Sequence, residues 1–269
     1  MPLTGTFKNL LIRGLLAGLV AGLLAGAVAF VIGEPHIDAA IAIEEAAAAP
    51  VEPHGHGAAA TEAVTDEPAG HSHGDSEEPL VSRDGQRFGL FLATSLAGLA
   101  LGALFAAVAY YARRVSGLSG PILALTLAGL GWLAVEAVPF FKYPANPPAV
   151  GDPETINNRT WLWLAAVALG LAAVSIAAYV AKVVAANQFL TVRIAAPLLA
   201  FLAVAGIGYL VLPDINEVGP DFPASLLWDF RVSSLTIQAT LWLALGLGFA
   251  FLTERAAKAS SRSEALTAR

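Results

Sequence analysis

The chain alternates between long apolar runs and shorter polar connectors. Six of the runs hold about 20 residues or more, the length that a helix needs to cross the roughly 30 Å hydrocarbon layer of a membrane. Because a backbone in lipid must satisfy its own hydrogen bonds, each run is predicted to be helical. The runs cover residues 10–32, 88–111, 120–141, 161–181, 193–212 and 233–252. The pattern predicts an all-α integral membrane protein, a bundle of six transmembrane helices.

Composition places the chain in the same class. Hydrophobic residues make up 57% of it and charged residues only 13%, with a mean hydropathy of +0.67, which is far from a soluble domain. A cleaved signal peptide is the alternative for the first apolar run. That run exceeds the roughly 7 to 15 residues of a signal core, and no small-x-small cleavage site precedes Gly33. We therefore expect it to remain as a helix.

Charge is distributed unevenly between the two sides that these helices define. Ten of the fifteen basic residues fall in the termini and in the connectors on their side, and an excess of Lys and Arg marks the cytoplasmic face. Eighteen of the twenty-one acidic residues fall in the three opposite connectors. We predict that both termini are cytoplasmic and that the outer face is anionic. The resulting parts are an N-terminal tail with the first helix (1–32), an outer loop (33–87), a five-helix membrane bundle (88–253) with proline-rich outer loops (139–160 and 212–232), and a cytoplasmic tail (254–269).

The first helix carries glycine at every fourth position, namely Gly14, Gly18, Gly22 and Gly26. A face without side chains lets another helix approach closely in lipid, where packing drives helix association. The partner of this glycine face could be a helix of the same chain, a second copy or another subunit. Packing within the chain is the simplest of the three.

The first outer loop changes composition midway. Residues 33–49 are helix formers with isoleucines on one face, which predicts a short amphipathic helix on the outer surface. Residues 50–79 are mainly Ala, Gly, Pro, Glu and His, a composition typical of disorder.

All five histidines of the chain lie in this loop, among many carboxylates. Imidazole together with carboxylate suits divalent cobalt, nickel or zinc. The alternative is a solvated acidic spacer with incidental histidines, since His-rich tracts are compositional signals. The candidate metal ligands are His36, Asp38, Glu44, Glu45, His54, His56, His71 and His73.

The two later outer loops are rich in proline, asparagine and aspartate and are flanked by aromatic residues. Prolines stiffen such loops, so we expect them to shape an entrance rather than to act as loose spacers. Glu136 lies just inside the third helix, where it is either a functional group or a side chain that reaches outward to the interface. The expected residues of the entrance are Glu136, Lys142, Tyr143, Asn146, Asp152, Asn216, Glu217, Asp221, Asp229 and Arg231, with Lys142, Arg159 and Arg231 as counter-charges.

Motifs of enzyme chemistry are missing from the sequence. It contains no phosphate-binding G-x-x-x-x-G-K-[ST] loop, no H-E-x-x-H zinc motif and no cysteine. No nucleophile and base stand at a motif spacing. We predict that the chain is not an enzyme and that any energy for transport comes from an ion gradient or another subunit.

Four blocks of the sequence stand out: GEPHIDAAIAIEE, VSRDGQR, VPFFKYPANPPAVGDPETINNRT, and LPDINEV followed by DFPASLLWDFRVSSLTIQ. Together they resemble the blocks of CbtA, a family of proposed cobalt transporter subunits. The resemblance covers nearly the whole chain. It implies a bacterial inner-membrane protein that takes up Co²⁺ for cobalamin synthesis together with a small single-helix, His-containing partner (CbtB-like).

Two functions from different classes follow. The first is a permease subunit for a divalent metal, cobalt before nickel or zinc, with no tightly bound cofactor and no nucleic-acid partner; a homo-oligomer is open. The second is a membrane scaffold that transports nothing and docks a partner through the glycine face and the rigid outer loops.

Overall fold

Six long apolar helices dominate the protein. A computed structural model describes residues 3–48 and 81–267, and all regular structure within these ranges is helical. Six helical segments are long and apolar enough to cross a membrane: Phe7–Ala47, Arg83–Ala112, Gly120–Lys142, Pro153–Val183, Leu190–Val211 and Ala224–Arg262. Each contains one of the six predicted runs, apart from a residue at the end of the fifth. The prediction of a six-span helical membrane protein is therefore confirmed.

Polar caps set the starts of several helices outside the apolar runs. For example, the Thr6 hydroxyl accepts from the Asn9 N–H, and the Ser82 hydroxyl accepts from the Gly85 N–H. The helices are α1 (Phe7–Val28), α2 (Glu34–Ala48), α3 (Arg83–Ala112), α4 (Gly120–Trp132), α5 (Val138–Lys142), α6 (Ile156–Val183), α7 (Leu190–Val211) and α8 (Ala224–Thr267). A 3₁₀ turn, Pro153–Thr155, leads into α6.

Two π-helical turns join helices without breaking them. Ala29–Gly33 connects α1 to α2, and Leu133–Ala137 connects α4 to α5. A proline lies two residues after each turn, Pro35 and Pro139. Proline has no N–H, and its ring clashes with a carbonyl one turn earlier, so a widened turn relieves both problems. Residues 34–48 therefore continue α1 rather than forming the separate surface helix that the sequence predicted.

Four helices share one hydrophobic core. Side chains of α1, α3, α4 and α8 form it, with Leu10, Phe105, Leu245 and Phe249 buried near its centre. The rings of Phe105 and Phe249 meet edge to face, with their centroids 5.2 Å apart. We call these four helices the four-helix unit.

The glycine face of α1 packs against α3. A Cβ placed on Gly18 would lie 2.1 Å from the carbonyl oxygen of Gly98, and one on Gly14 would lie 2.2 Å from that of Gly102. Gly22 and Gly26 pack against the same helix near Thr94. The two backbones are so close that no side chain fits between them. Of the partners that the sequence left open, the structure places a helix of the same chain on this face.

The remaining pair, α6 and α7, forms a hairpin outside the shared core. Helix α7 packs mainly on α6, and Ala205 is its only buried residue. Helix α6 in turn packs on the π turn between α4 and α5, where a Cβ on Gly170 would lie 2.0 Å from the Ala134 carbonyl oxygen. We call the boundary between this hairpin and the four-helix unit the seam.

Candidate functional site

A cavity of about 480 Å³, with both apolar and polar residues in its lining, opens where the seam meets the proline-rich loops. Its walls come from α6, from α8 and from the turn between α4 and α5, and the segments 143–146 and 215–218 cover it. Its polar lining residues are Glu136, Tyr143, Asn146, Arg159, Thr160, Asn216, Glu217, Arg231, Ser234 and Gln238.

Glu136 lies in the π turn Leu133–Ala137 and faces this cavity half-buried. Its Oε1 is 3.5 Å from the indole Nε1 of Trp242, a long contact at most. Trp242 is seated against Gly131, where a Cβ would come within 2.3 Å of the ring. Among residues 3–48 and 81–267, no basic side chain lies within ion-pair distance of Glu136. One carboxylate therefore faces the cavity without a counter-charge bound to it.

Glu217, the second carboxylate of the cavity, is fully engaged. Its Oε2 is 3.2 Å from Nη1 of Arg159, and its Oε1 accepts from the Thr155 hydroxyl at 2.5 Å. The Asp152 N–H also donates to it at 3.3 Å. These contacts fasten the loop before α8 to the start of α6.

Gly151 is required beside this ion pair. Its φ of +115° lies in a region that other residues rarely adopt, and a Cβ there would come within 2.4 Å of Nη1 of Arg159. The neighbouring Ala149 holds a positive φ of 64° without being glycine. The loop before α6 is thus shaped by backbone conformation as well as by its prolines.

Arg231 binds neutral partners on the opposite wall. Its Nη2 donates to Oδ1 of Asn146 at 2.9 Å, and its Nε donates to the Ala145 carbonyl oxygen at 3.2 Å. These bonds tie α8 to the loop after α5. Neither acceptor is a carboxylate, so neither of them balances the positive charge that Arg231 brings to the same cavity as Glu136.

The end of α7 nearest these loops is fastened to α5 and to the loop after it. Nζ of Lys142 donates to the Tyr209 carbonyl oxygen at 3.0 Å and also pairs with Asp214. The Tyr209 hydroxyl donates to the Val138 carbonyl oxygen at 2.6 Å, and the Tyr143 hydroxyl donates to that of Pro213 at 2.7 Å. Burial raises the pKa of Tyr143, which keeps its hydroxyl protonated as the donor.

The expected entrance residues divide into two groups. Six of them line the cavity: Glu136, Tyr143, Asn146, Asn216, Glu217 and Arg231. The other four lie outside its lining. Lys142 points to α7, and Oδ1 of Asp152 caps the 3₁₀ turn by accepting from the Glu154 N–H at 2.8 Å. Asp221 and Asp229 are exposed.

The expected metal ligands are described only in part. His54, His56, His71 and His73 lie outside the described residues, whereas His36, Asp38, Glu44 and Glu45 are on α2. Asp38 pairs with Arg83 and with Arg87, at 3.1 Å from Nη2 of Arg87. Glu34 beside it is buried and lies 2.9 Å from Nη2 of Arg83. In the part of the chain that the structure describes, no three His, Asp or Glu side chains are arranged to hold a metal ion.

Three polar lining residues were missed by the sequence reasoning: Thr160, Ser234 and Gln238. A signal for them exists. Arg231, Ser234 and Gln238 recur at steps of three and four along an otherwise apolar helix, so they share one face. Ile156, Arg159, Thr160 and Trp163 recur in the same way on α6. Polar positions at helical spacing, at and just before the starts of the runs 161–181 and 233–252, would have indicated both walls.

The chemistry of the cavity suits a cation that prefers oxygen ligands. It combines the carboxylate of Glu136 with the side-chain oxygens of amides and hydroxyls, the donor set of hard and borderline divalent ions.

Comparison with known proteins identifies the family. A protein-family model described as "Probable cobalt transporter subunit (CbtA)" matches residues 7–254. Neither the curated proteins nor the solved structures include a significant match. The match covers the second to fifth of the apolar segments whole, the first from Phe7, the sixth as far as residue 254, and every residue that lines the cavity. The chain is therefore a multi-pass membrane protein that belongs to the CbtA family of probable cobalt transporter subunits.

Proposed function

We propose that this chain is a permease subunit for the uptake of a divalent transition metal, with cobalt as its main substrate, and that the ion passes through the seam cavity. One observation carries the proposal: Glu136 lies in a helical segment apolar and long enough to cross a membrane, and it faces a cavity without a basic partner among the described residues. A carboxylate within a transmembrane segment is expensive to keep and is typically functional. The family description, a probable cobalt transporter subunit, supports cobalt as the transported ion.

The cavity would act as an outer vestibule. A cation that enters between the segments 143–146 and 215–218 would exchange part of its water shell for amide and hydroxyl oxygens before it reaches Glu136. Arg231 would oppose tight binding, because its positive charge faces the same space. Weak binding at several sites is what a conducting path requires.

The charge distribution supports an orientation with both termini in the cytoplasm of a bacterium, in its inner membrane. The acidic, His-rich segment 50–79 would then raise the local metal concentration at the outer mouth. Deleting residues 50–79 is expected to weaken uptake at low cobalt but not at high cobalt. Unchanged uptake at low cobalt would remove the capture role.

A partner is part of the proposal, because the family description is that of a transporter subunit. The partner that the resemblance implies is a single-helix, His-containing protein, and the imported cobalt would serve cobalamin synthesis. The energy for transport would come from an ion gradient or from a partner. The chain would also be able to assemble as a homo-oligomer.

The test is uptake of labelled cobalt, nickel and zinc into vesicles that contain the purified chain, with and without the candidate partner. We expect cobalt uptake above that of empty vesicles, with nickel and zinc as weaker competitors. A stoichiometric partner in mild detergent together with no metal-dependent uptake would instead favour the scaffold function. That function has lost one of its supports, because α3 occupies the glycine face of α1.

A further inference from the structure

The C-terminal part of α8 carries a basic stripe, which we define as Arg255, Lys258 and Arg262. These residues follow Phe251 at steps of four, three and four positions, so all four side chains share one face of the helix. Together with Glu254 and Ala259 they line a surface groove of about 380 Å³. The groove thus joins an aromatic ring at one end to three cationic groups at the other.

The stripe keeps a net positive charge. Glu254 lies 3.0 Å from Nζ of Lys258, but the two side chains are 50% and 70% exposed, so this pair contributes little. Arg255 and Arg262 form no ion pair with any described residue. Elsewhere at this end of the protein, Arg113 donates to the Gly5 carbonyl oxygen at 2.8 Å. The stripe therefore presents cationic groups that the described part of the protein does not neutralise.

Its depth matches the boundary of a membrane. Phe251 is 61% exposed and stands at the end of the last apolar run. At about 1.5 Å per residue, Arg255 lies roughly 6 Å and Lys258 roughly 10 Å beyond Phe251 along the helix. The headgroup region of each leaflet is about 5 to 7 Å thick. Arg255 thus lies within the headgroup region, and Lys258 lies just beyond it, where its long side chain reaches back to the phosphates. Arg262 is roughly 16 Å beyond Phe251, on the water side of the headgroups.

We propose that the basic stripe binds the headgroup of an anionic phospholipid whose acyl chain runs along Phe251. The groove has the two parts that such a lipid needs, because its apolar end lies on the membrane side and its cationic end on the water side. A soluble anion would use only the cationic end. This lipid site is separate from the seam cavity and does not depend on transport.

The experiment is native mass spectrometry of the purified chain in mixed micelles that hold equal amounts of phosphatidylglycerol and phosphatidylcholine. The wild-type chain is expected to retain phosphatidylglycerol preferentially. In R255Q/K258Q/R262Q, each removed charge should weaken this retention roughly fivefold. The matched control is K182Q/R193Q, which removes two exposed charges from the α6–α7 hairpin at the same end and should retain the lipid as the wild type does.

Three results would overturn the lipid site. They are equal retention of the two lipids by the wild-type chain, undiminished retention by the triple variant, or loss of the preference in the control. Displacement of phosphatidylglycerol by millimolar inorganic phosphate would also contradict it, since the site would then recognise a free anion. The single variant R262Q, outside the apolar run, guards against misfolding and should show a smaller loss in the same direction.

Discussion

The four-helix unit and the α6–α7 hairpin are built from equally apolar helices but are held in different ways. In the four-helix unit, glycine and alanine faces bring backbones together around a common core. The hairpin contributes no residue to that core. It is attached at the close contact of Gly170 with Ala134, and by polar contacts at the end that carries the proline-rich loops. The four-helix unit is thus the scaffold of the protein, and the α6–α7 hairpin is a separately attached element that forms one wall of the cavity.

This difference explains where the cavity lies. Glycine and alanine faces bring the helices of the four-helix unit so close together that little space remains between them. At the seam, α6 touches the π turn but leaves space beside it toward α8, and Glu136 faces that space. Changes in the four-helix unit should therefore affect folding, whereas changes at the seam should affect the cavity.

The largest effect is expected from Gly98→Ala. The added methyl group would lie 2.2 Å from the carbonyl oxygen of Gly18, and a backbone atom cannot move aside as a side chain does. We expect a loss of about 3 kcal/mol in the free energy of unfolding, the upper range for an overpacked core. Thermal melting in detergent measures it. Gly89→Ala is the matched control on the same helix, because no atom lies within 4 Å of its added Cβ; equal melting of both variants would contradict the close packing of α1 and α3.

A smaller effect is expected from Gly170→Ala, which places a methyl group 2.0 Å from the Ala134 carbonyl oxygen at the seam. Since the hairpin lies outside the shared core, it can shift as a body, and we expect a loss of about 1 to 2 kcal/mol. The rate of cobalt uptake should also fall, by more than the loss of folded protein alone explains. The control Gly206→Ala meets no atom within 4 Å. If Gly170→Ala left uptake intact, the seam would not shape the path.

Glu217→Gln should have a still smaller effect on stability. It removes the charge that faces Arg159 but keeps an acceptor for Thr155, and the two charged side chains are 13% and 30% exposed. We expect a loss of about 1 kcal/mol, the upper end of the range for solvent-accessible pairs, because both side chains are largely buried, together with reduced maximal cobalt uptake. Normal uptake at normal expression would remove Glu217 from the mouth.

The smallest effect is a gain from Ala149→Gly. Ala149 has a φ of 64°, which glycine adopts without strain. Relief of strain is partly offset by the greater freedom of glycine in the unfolded chain, so we expect a gain of roughly 0.5 kcal/mol. Ala145→Gly, in the same loop at a negative φ, should lose stability. Identical shifts in melting temperature would mean that the backbone at Ala149 is unstrained.

The sequence was sufficient for some features. Six spans follow from the apolar runs alone, because lipid permits little but helices there. The glycines of α1 indicated a close helix contact, although Gly98 and Gly102 on α3 were needed to name the partner. Half-buried polar positions such as Ser234 were readable at helical spacing but are easily overlooked inside apolar segments.

Other features could not be read from the sequence. Apolar helices in lipid lack a hydrophobic drive toward particular neighbours, so the separate position of the hairpin follows only from detailed packing. The π turns depend on how the chain adapts to Pro35 and Pro139, for which a kink or a break was equally open. The pairing of Arg159 with Glu217 and of Arg83 with Glu34 joins residues distant in sequence, and it partly neutralises the face that was expected to be anionic.

The central claim is that cobalt passes Glu136 in the seam cavity, and cobalt uptake into vesicles by Glu136→Gln tests it most directly. Glutamine keeps the size of the side chain and removes its charge, so folding should persist. The matched control is Glu154→Gln, an exposed carboxylate near the same loops but outside the cavity. The account predicts that Glu136→Gln lowers the uptake rate at least about tenfold, equivalent to roughly 1.4 kcal/mol in barrier height, while Glu154→Gln matches the wild type. Wild-type uptake by folded Glu136→Gln protein would contradict it.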